Sequence, residues 1–260
     1  MNFQIGLVVA GLVVGFIVGM TGVGGGSLMT PILLWFGISP TTAVGTDLLY
    51  AAITKCGGVY VHNKKKNINW TITGWLSLGS IPAALLTLYV LHILNADTTA
   101  LNAVIKYSLG WALVFTSVAI LFKKIILAFS QKHAGDKFHR ESKTQNFLTV
   151  AIGVLLGVTV TLTSIGAGAL GTVTLFFLYP LLPTNRLVGT EIAHAVPLTL
   201  VAGLGHASMG NLDLALLGQL LMGSLPGIYV GSMLAGKVPD LFLRNALAIM
   251  LFFVGFKLIT

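Results

Sequence analysis

The chain has 260 residues, of which 55% are hydrophobic and 8% charged, and its mean hydropathy is +0.92. So much apolar surface cannot be hidden in one water-soluble core, which excludes a soluble enzyme or binding domain and points to an all-α polytopic membrane protein. The net charge of +8 does not imply nucleic acid, because the basic residues gather at Lys64-Lys65-Lys66 and between Lys123 and Lys143, as positive loops beside membrane spans do.

In chain order, apolar stretches run at 3–20, 27–36, 41–61, 70–92, 101–122, 147–162, 170–182, 187–206, 214–235 and 241–259. The long ones approach the ~20 residues that cross a hydrocarbon core of ~30 Å. Those at 27–36 and 170–182 are too short. A helical piece of about ten residues covers about 15 Å, so each reads as one arm of a hairpin whose tip is buried in protein. The runs are continuously apolar rather than alternating, which argues against a membrane β-barrel. The polar stretch 123–146 is the one linker. It separates a first transmembrane repeat, 1–122, from a second, 147–260.

The word repeat rests on a fixed offset of 144. Gly22/Gly166, Gly24/Gly168, Gly45-Thr46/Gly189-Thr190, His62/His206, Asn67/Asn211, Gly74/Gly218 and Gly79-Ser80-Ile81-Pro82/Gly223-Ser224-Leu225-Pro226 match without a gap, and Asp47 lies over Glu191. Two homologous halves, each with a Gly-rich helix break and a half-length helix, are the pattern of a duplicated transporter. If each short piece folds back along its preceding helix, the halves are inverted repeats. Lys64–Lys66, the 123–146 linker, Arg186, Lys237 and Arg244 then share the cytoplasmic side, which holds twelve of the fifteen Lys and Arg. If helix and short piece form one broken crossing, the repeats are parallel, and Arg186, Lys237 and Arg244 move outside. The positive-inside rule favours inversion.

The two breaks carry the first candidate chemistry. Gly19-Met20-Thr21-Gly22-Val23-Gly24-Gly25-Gly26-Ser27 and Thr163-Ser164-Ile165-Gly166-Ala167-Gly168-Ala169-Leu170-Gly171 permit tight turns whose N–H groups face a ligand at the start of the next helix. There the helix dipole favours an anion. Small residues also serve helix packing in membranes. Asp47 and Glu191 are the acids of the apolar cores, and charge at that depth marks a pathway, a proton relay or an ion pair; an acid in the first turns also suits the helix dipole. Lys55 projects from nearly the same face as Asp47 and either neutralises it, attracts an anion or snorkels towards the cytoplasmic end. His194, three residues after Glu191, is a hydrogen-bonding or protonatable candidate. The lone Cys56 reads as a packing residue beside Gly57-Gly58. His62 and His206 read as interfacial structure. Trp35, Trp70 and Trp75 suit aromatic belts, and Pro82, Pro197 and Pro226 suit kinks. No metal, redox or hydrolytic motif emerges, so neither a cofactor nor an enzyme activity is expected.

The Gly-x-Gly-Gly-Gly break at Gly22–Gly26, Pro31, Ala43-Val44-Gly45-Thr46, the basic loop and Asn69-Trp70, repeated more weakly in the second half, resemble the TauE/SafE sulfite exporter family over nearly the whole chain. The second half departs from the pattern at Ala169, Leu170 and Leu175. The resemblance implies a multi-pass carrier of the bacterial inner membrane that moves sulfite, sulfonates or related sulfur-containing anions, often outwards. On this reading Thr21, Gly22, Gly24, Gly25, Gly26, Ser27, Thr46, Lys55, Ser164, Gly166, Gly168, Thr190 and His194 bind the anion, and Asp47 and Glu191 relay protons or gate. The partners are the small anionic substrate and the lipid bilayer, with no nucleic acid and with a homo-oligomer left open. A passive anion channel and a non-transporting membrane partner subunit are the alternatives.

Overall fold

The computed structural model describes residues 4–21, 26–94, 98–132, 143–234 and 240–260. Among these residues there is no strand, and ten helices follow the ten apolar stretches. They are α1 (Ile5–Thr21), α2 (Gly26–Trp35), α3 (Pro40–Lys64), α4 (Trp70–Leu94), α5 (Thr98–Lys132), α6 (Lys143–Thr163), α7 (Ala169–Leu178), α8 (Thr184–Ser208), α9 (Leu214–Leu234) and α10 (Asp240–Ile259). Within the described residues α4, α5, α6, α8 and α9 are long and apolar enough to span a bilayer. Adding 144 to the bounds of α3, 40 and 64, gives 184 and 208, the bounds of α8.

The starts of α3 and α8 differ in local cause, since only α3 has a side-chain cap, and their ends share one. Pro40 opens α3 in the position where a missing N–H costs nothing, behind an Ser39 cap whose hydroxyl accepts from the Thr42 N–H. Both α3 and α8 close through a left-handed residue, Lys66 (φ 55°) and Gly210 (φ 78°). The next amide in each then reaches back, Asn67 N–H to His62 O at 2.9 Å and Asn211 N–H to His206 O at 3.0 Å.

Glycine stripes decide which helices come together. Gly223, Gly227 and Gly231 of α9 lie against the carbonyls of Val8, Leu12 and Phe16 of α1, while Gly11 and Gly15 of α1 lie against those of Leu220 and Ser224. A Cβ at any of these glycines would collide with backbone, the condition for close helix packing in a membrane. Both sets of residues ascend together, so α1 and α9 run in the same direction. Gly79 against Val150, Gly153 against Leu76 and Gly157 against Ser80 do the same for α4 and α6. The central pair is different. Gly45 meets Asn211, Gly203 meets Leu49 and Gly58 meets Ile192, so α3 and α8 run in opposite directions. Exchanging each helix for the one about 144 residues away leaves these pairings unchanged, as it does the contact of α5 with α10.

Each short helix folds back along its predecessor. The Gln145 amide donates to Leu178 O at 2.6 Å, and Thr149 and Tyr179 share a 2.7 Å hydrogen bond. The end of α7 is thereby tied to the first turns of α6. In the first half the ring of Phe36, just past α2, lies over Gly6 at the start of α1. Apolar clusters fill the spaces between these hairpins and the long helices, one built on Leu7, Met29, Leu33, Leu113 and Leu251, another on Ile72, Leu76, Phe176 and Tyr179. Leu86, Tyr89, Phe115 and Phe253 are exposed on the outside, where a water-soluble protein would carry charge and a bilayer supplies apolar solvent.

One expectation needs correction: Cys56 is exposed rather than packed, because it follows the inward-facing Lys55. In the expected linker 123–146, α5 continues through Lys123 to Lys132 and α6 begins at Lys143, and residues 133–142 lie outside the described residues. Polar side chains mark the edge of a membrane, not the end of a helix.

Candidate functional site

The buried polar residues concentrate where α3 and α8 face each other. Asp47, Thr46, Glu191, Thr190 and His194 are all 0–2% exposed, and Lys55 is the one buried Lys or Arg among the described residues. Asp47 Oδ2 accepts a 2.5 Å hydrogen bond from the Thr30 hydroxyl of α2, and the Ser164 hydroxyl faces the same carboxyl. Its Oδ1 is buried without a partner, as is Ser164 Oγ. Glu191 stands differently. Its side chain occupies the space that a Cβ on Gly171, at the start of α7, would need, and its Oε1 is buried without a partner.

Lys55 lies between the levels of the two acids. Gly58 packs on Ile192 and Gly203 on Leu49, which sets Glu191 beside the later part of α3 and Asp47 beside the later part of α8. The Lys55 ammonium donates to the carbonyl oxygen of Ala167 inside the second break and stays within electrostatic reach of both Glu191 and Asp47. It does not snorkel. His194 Nε2 is 2.8 Å from the Ser80 hydroxyl of α4. At the offset of 144, Tyr50 faces Ser224 of α9, but there neither hydroxyl is hydrogen-bonded.

The second break is built around Gly166 (φ 118°), with Ser164 left-handed at φ 58°. The N–H groups of Gly168 and Gly171, which the sequence reading turns towards an anion, are donated instead to Gly166 O at 2.8 and 2.9 Å. The polarity offered to the centre is thus a carbonyl for Lys55. In the first break Gly22, Gly24 and Gly25 lie outside the described residues; Thr21 ends α1, and Gly26 and Ser27 open α2.

Thr46 and Thr190 are brought to each other's half rather than to the centre. Thr46 Oγ1 accepts from the Asp213 N–H at 3.3 Å, and Thr190 Oγ1 from the Asn69 N–H at 2.9 Å while donating to Arg186 O. Gly45 and Gly189 beside them let the carbonyls of Asn211 and Asn67 approach. These residues form two clasps, one at each end of the α3–α8 pair. His206 belongs to the first: it is fully buried, with Nε2 2.9 Å from Thr161 O, not interfacial. Thr30, Ser80 and Ser224 escape the sequence reading. Their signal was there, since Thr30 recurs as Thr174 and both serines sit in the repeated Gly-Ser-x-Pro.

A bundle of long apolar helices, interrupted by half-length hairpins and holding two carboxylates and an ammonium away from water, defines a polytopic membrane transport protein. The chain matches the family described as Sulfite exporter TauE/SafE over residues 7–258, and it belongs to that family. It is 38% identical to probable membrane transporter protein YjnA of Bacillus subtilis (strain 168) over 213 residues, which cover 82% of this chain and 83% of the relative. It is 29% identical to probable membrane transporter protein MJ0441 of Methanocaldococcus jannaschii, covering 76% and 70%. It is also 29% identical to the Bacillus subtilis protein YdhB, another probable membrane transporter, covering 78% of each chain. No solved structure matches.

Proposed function

We propose that the protein is a secondary carrier of small sulfur-containing anions, sulfite or sulfonates, working as an exporter by alternating access between two inverted repeats in a bacterial inner membrane. The single observation that carries a carrier mechanism is the buried Lys55 between Asp47 and Glu191, tied to the opposite half through Ala167 O. A buried ammonium gives an anion a reason to enter, and a contact between the halves gives it a reason to move them.

Inversion is supported by direction. α3 and α8 correspond in sequence and run oppositely, and the same holds for α1 and α6 through their parallel partners α9 and α4. The ends follow suit. Asn185 bonds Asn67 at 3.4 Å, which places Arg186 beside the Lys64–Lys66 turn, while the Asp213 loop bonds Thr46 near the other end of α3. Lys64–Lys66, Arg186 and the start of α6 thus share one face, which the positive-inside rule assigns to the cytoplasm together with the linker.

In this reading Lys55, Ser164 and His194 contact the anion, with the glycines of both breaks beside them. Thr21, Gly26 and Ser27 contribute from the first break, and Asp47 and Glu191 gate or carry protons. Thr46 and Thr190 act through the clasps. An inside-negative potential expels an unaccompanied monovalent anion with ~2.3 kcal/mol per 100 mV. The test is flux of sulfite and of methanesulfonate in proteoliposomes. Saturable flux of at least one anion, lowered about tenfold or more in Lys55→Gln, supports the reading. Unsaturable flux with single-channel currents identifies a channel, and wild-type flux in Lys55→Gln removes Lys55 from the site.

A further inference from the structure

The two repeat-related acids have different surroundings, and the difference assigns them different work. Asp47 receives the Thr30 hydroxyl at 2.5 Å and faces the Ser164 hydroxyl. The residue that corresponds to Thr30 is Thr174 (30 + 144), yet its hydroxyl is turned to the carbonyls of Leu170 at 3.0 Å and Gly171 at 2.9 Å. Among the described residues Glu191 therefore has no counterpart of the Thr30 donor. Its Oε1 is buried and unpartnered, and no described hydrogen bond reaches its carboxyl. Donors hold a carboxylate in its charged form, and a carboxyl without them in a water-excluded place holds charge poorly.

Charge counting supplies the second step. Among the described residues the titratable groups that face this pair are few: Lys55 and Tyr50 from α3, Glu191 and His194 from α8, and a histidine at each clasp, His206 beside Gly45 and His62 beside Gly189. α2, α4, α7 and α9 contribute only Thr30, Ser80, Gly171 and Ser224. With both acids ionised and Lys55 protonated, the enclosed cluster is negative by one charge and repels an anion. Lys55 lies within reach of Glu191 as well as Asp47, so a proton on Glu191 frees the ammonium from one of its two competitors. A monovalent anion arriving with one proton also leaves the charge of the cluster unchanged, so the loaded and empty sites face the same cost in crossing the membrane field.

Resting on the carrier reading above, we infer that Glu191 takes up one proton with each anion that binds at Lys55, while Asp47 stays ionised as the anchor of α2, so that anion and proton cross in the same direction. The proton comes from the aqueous side that the site faces and leaves on the other with the anion. No bond other than the O–H of Glu191 forms or breaks. Export is then driven by the anion's own outward gradient in place of the membrane potential, and an outside-acid pH gradient opposes it.

Methanesulfonate is the suitable probe because it does not titrate near neutral pH. The full-length protein is placed in proteoliposomes carrying an internal pH dye, and an inward methanesulfonate gradient is imposed. The wild type is expected to acidify the lumen by about one proton per anion, without sodium. Flux at limiting substrate rises about tenfold per unit fall in external pH above the titration of Glu191, because only the protonated site accepts the anion. Glu191→Gln is expected to lose proton movement and pH dependence and to generate a membrane potential. Glu191→Asp and Asp47→Asn, at whatever rate they transport, are expected to keep a ratio near one proton per anion. Wild-type anion flux without acidification, flux that requires sodium, or loss of proton movement in Asp47→Asn but not in Glu191→Gln overturns the inference and leaves the carrier reading standing. Absence of any sulfite or methanesulfonate flux in the wild type overturns both.

Discussion

Two residues that the repeat makes equivalent differ most in what surrounds them. Thr30 presents its hydroxyl to a buried carboxylate, and removing a donor from a buried charge costs about 1–3 kcal/mol. Thr30→Val, which keeps the shape, is therefore expected to lower thermal stability in detergent by that amount, whereas Thr174→Val, whose hydroxyl only supplements helix carbonyls, changes it little. Equal losses in the two melting curves would show that the acids have equal surroundings. The left-handed Lys66 provides a second case. A side chain in that conformation costs about 1–2 kcal/mol, so Lys66→Gly is expected to raise the melting temperature, less the extra chain entropy that glycine loses on folding. The acids, Lys55 and His194 were legible in the sequence because charge is rare in apolar runs. The contacts of Lys55 were not, since it is tied to a backbone carbonyl, which leaves no residue-type signature. For the same reason the partner of the Gly168 and Gly171 amides was not legible: spacing shows that a turn exists, and only the folded turn shows which carbonyl it satisfies.

At the scale of the helix, the stretches and the half-length pieces could be read from hydropathy, and the offset from matched residue identities. Which helix packs on which could not. The sequence carries the hint in Gly223, Gly227 and Gly231 at steps of four, but a stripe of small residues names no partner. The structure gives α1, whose backbone lies where side chains would stand. Gly227→Val is accordingly expected to separate α1 from α9 and to destabilise the protein by about 1–3 kcal/mol, read as a lower melting temperature. Gly74→Val, at a glycine with open space around it, is the control and is expected to be tolerated. If both behave alike, close packing is not what the stripe provides.

For the molecule as a whole, the arrangement of its ends makes a prediction about sidedness. In a Cys56→Ser background, Lys65→Cys and Arg186→Cys are expected to be shielded from a membrane-impermeant thiol reagent added to intact cells, and Ser208→Cys to react. The Asn185–Asn67 and Thr46–Asp213 contacts put the first two at one end and the third at the other. Labelling of Arg186→Cys together with Ser208→Cys would restore the parallel arrangement. Basic residues alone left this choice resting on three charges, because an orientation rule counts loops and cannot see which loops touch.

The partnership of α1 with α9 also has a consequence for how the chain is made. The glycine face of α1 enters the membrane first, and its partner follows about 200 residues later. At ~5–20 residues per second that is a wait of roughly 10 to 40 s, during which α1 has lipid or an insertion factor where Gly223, Gly227 and Gly231 will be. A single repeat could never end that wait within its own chain. It would have to meet a second copy lying the other way up.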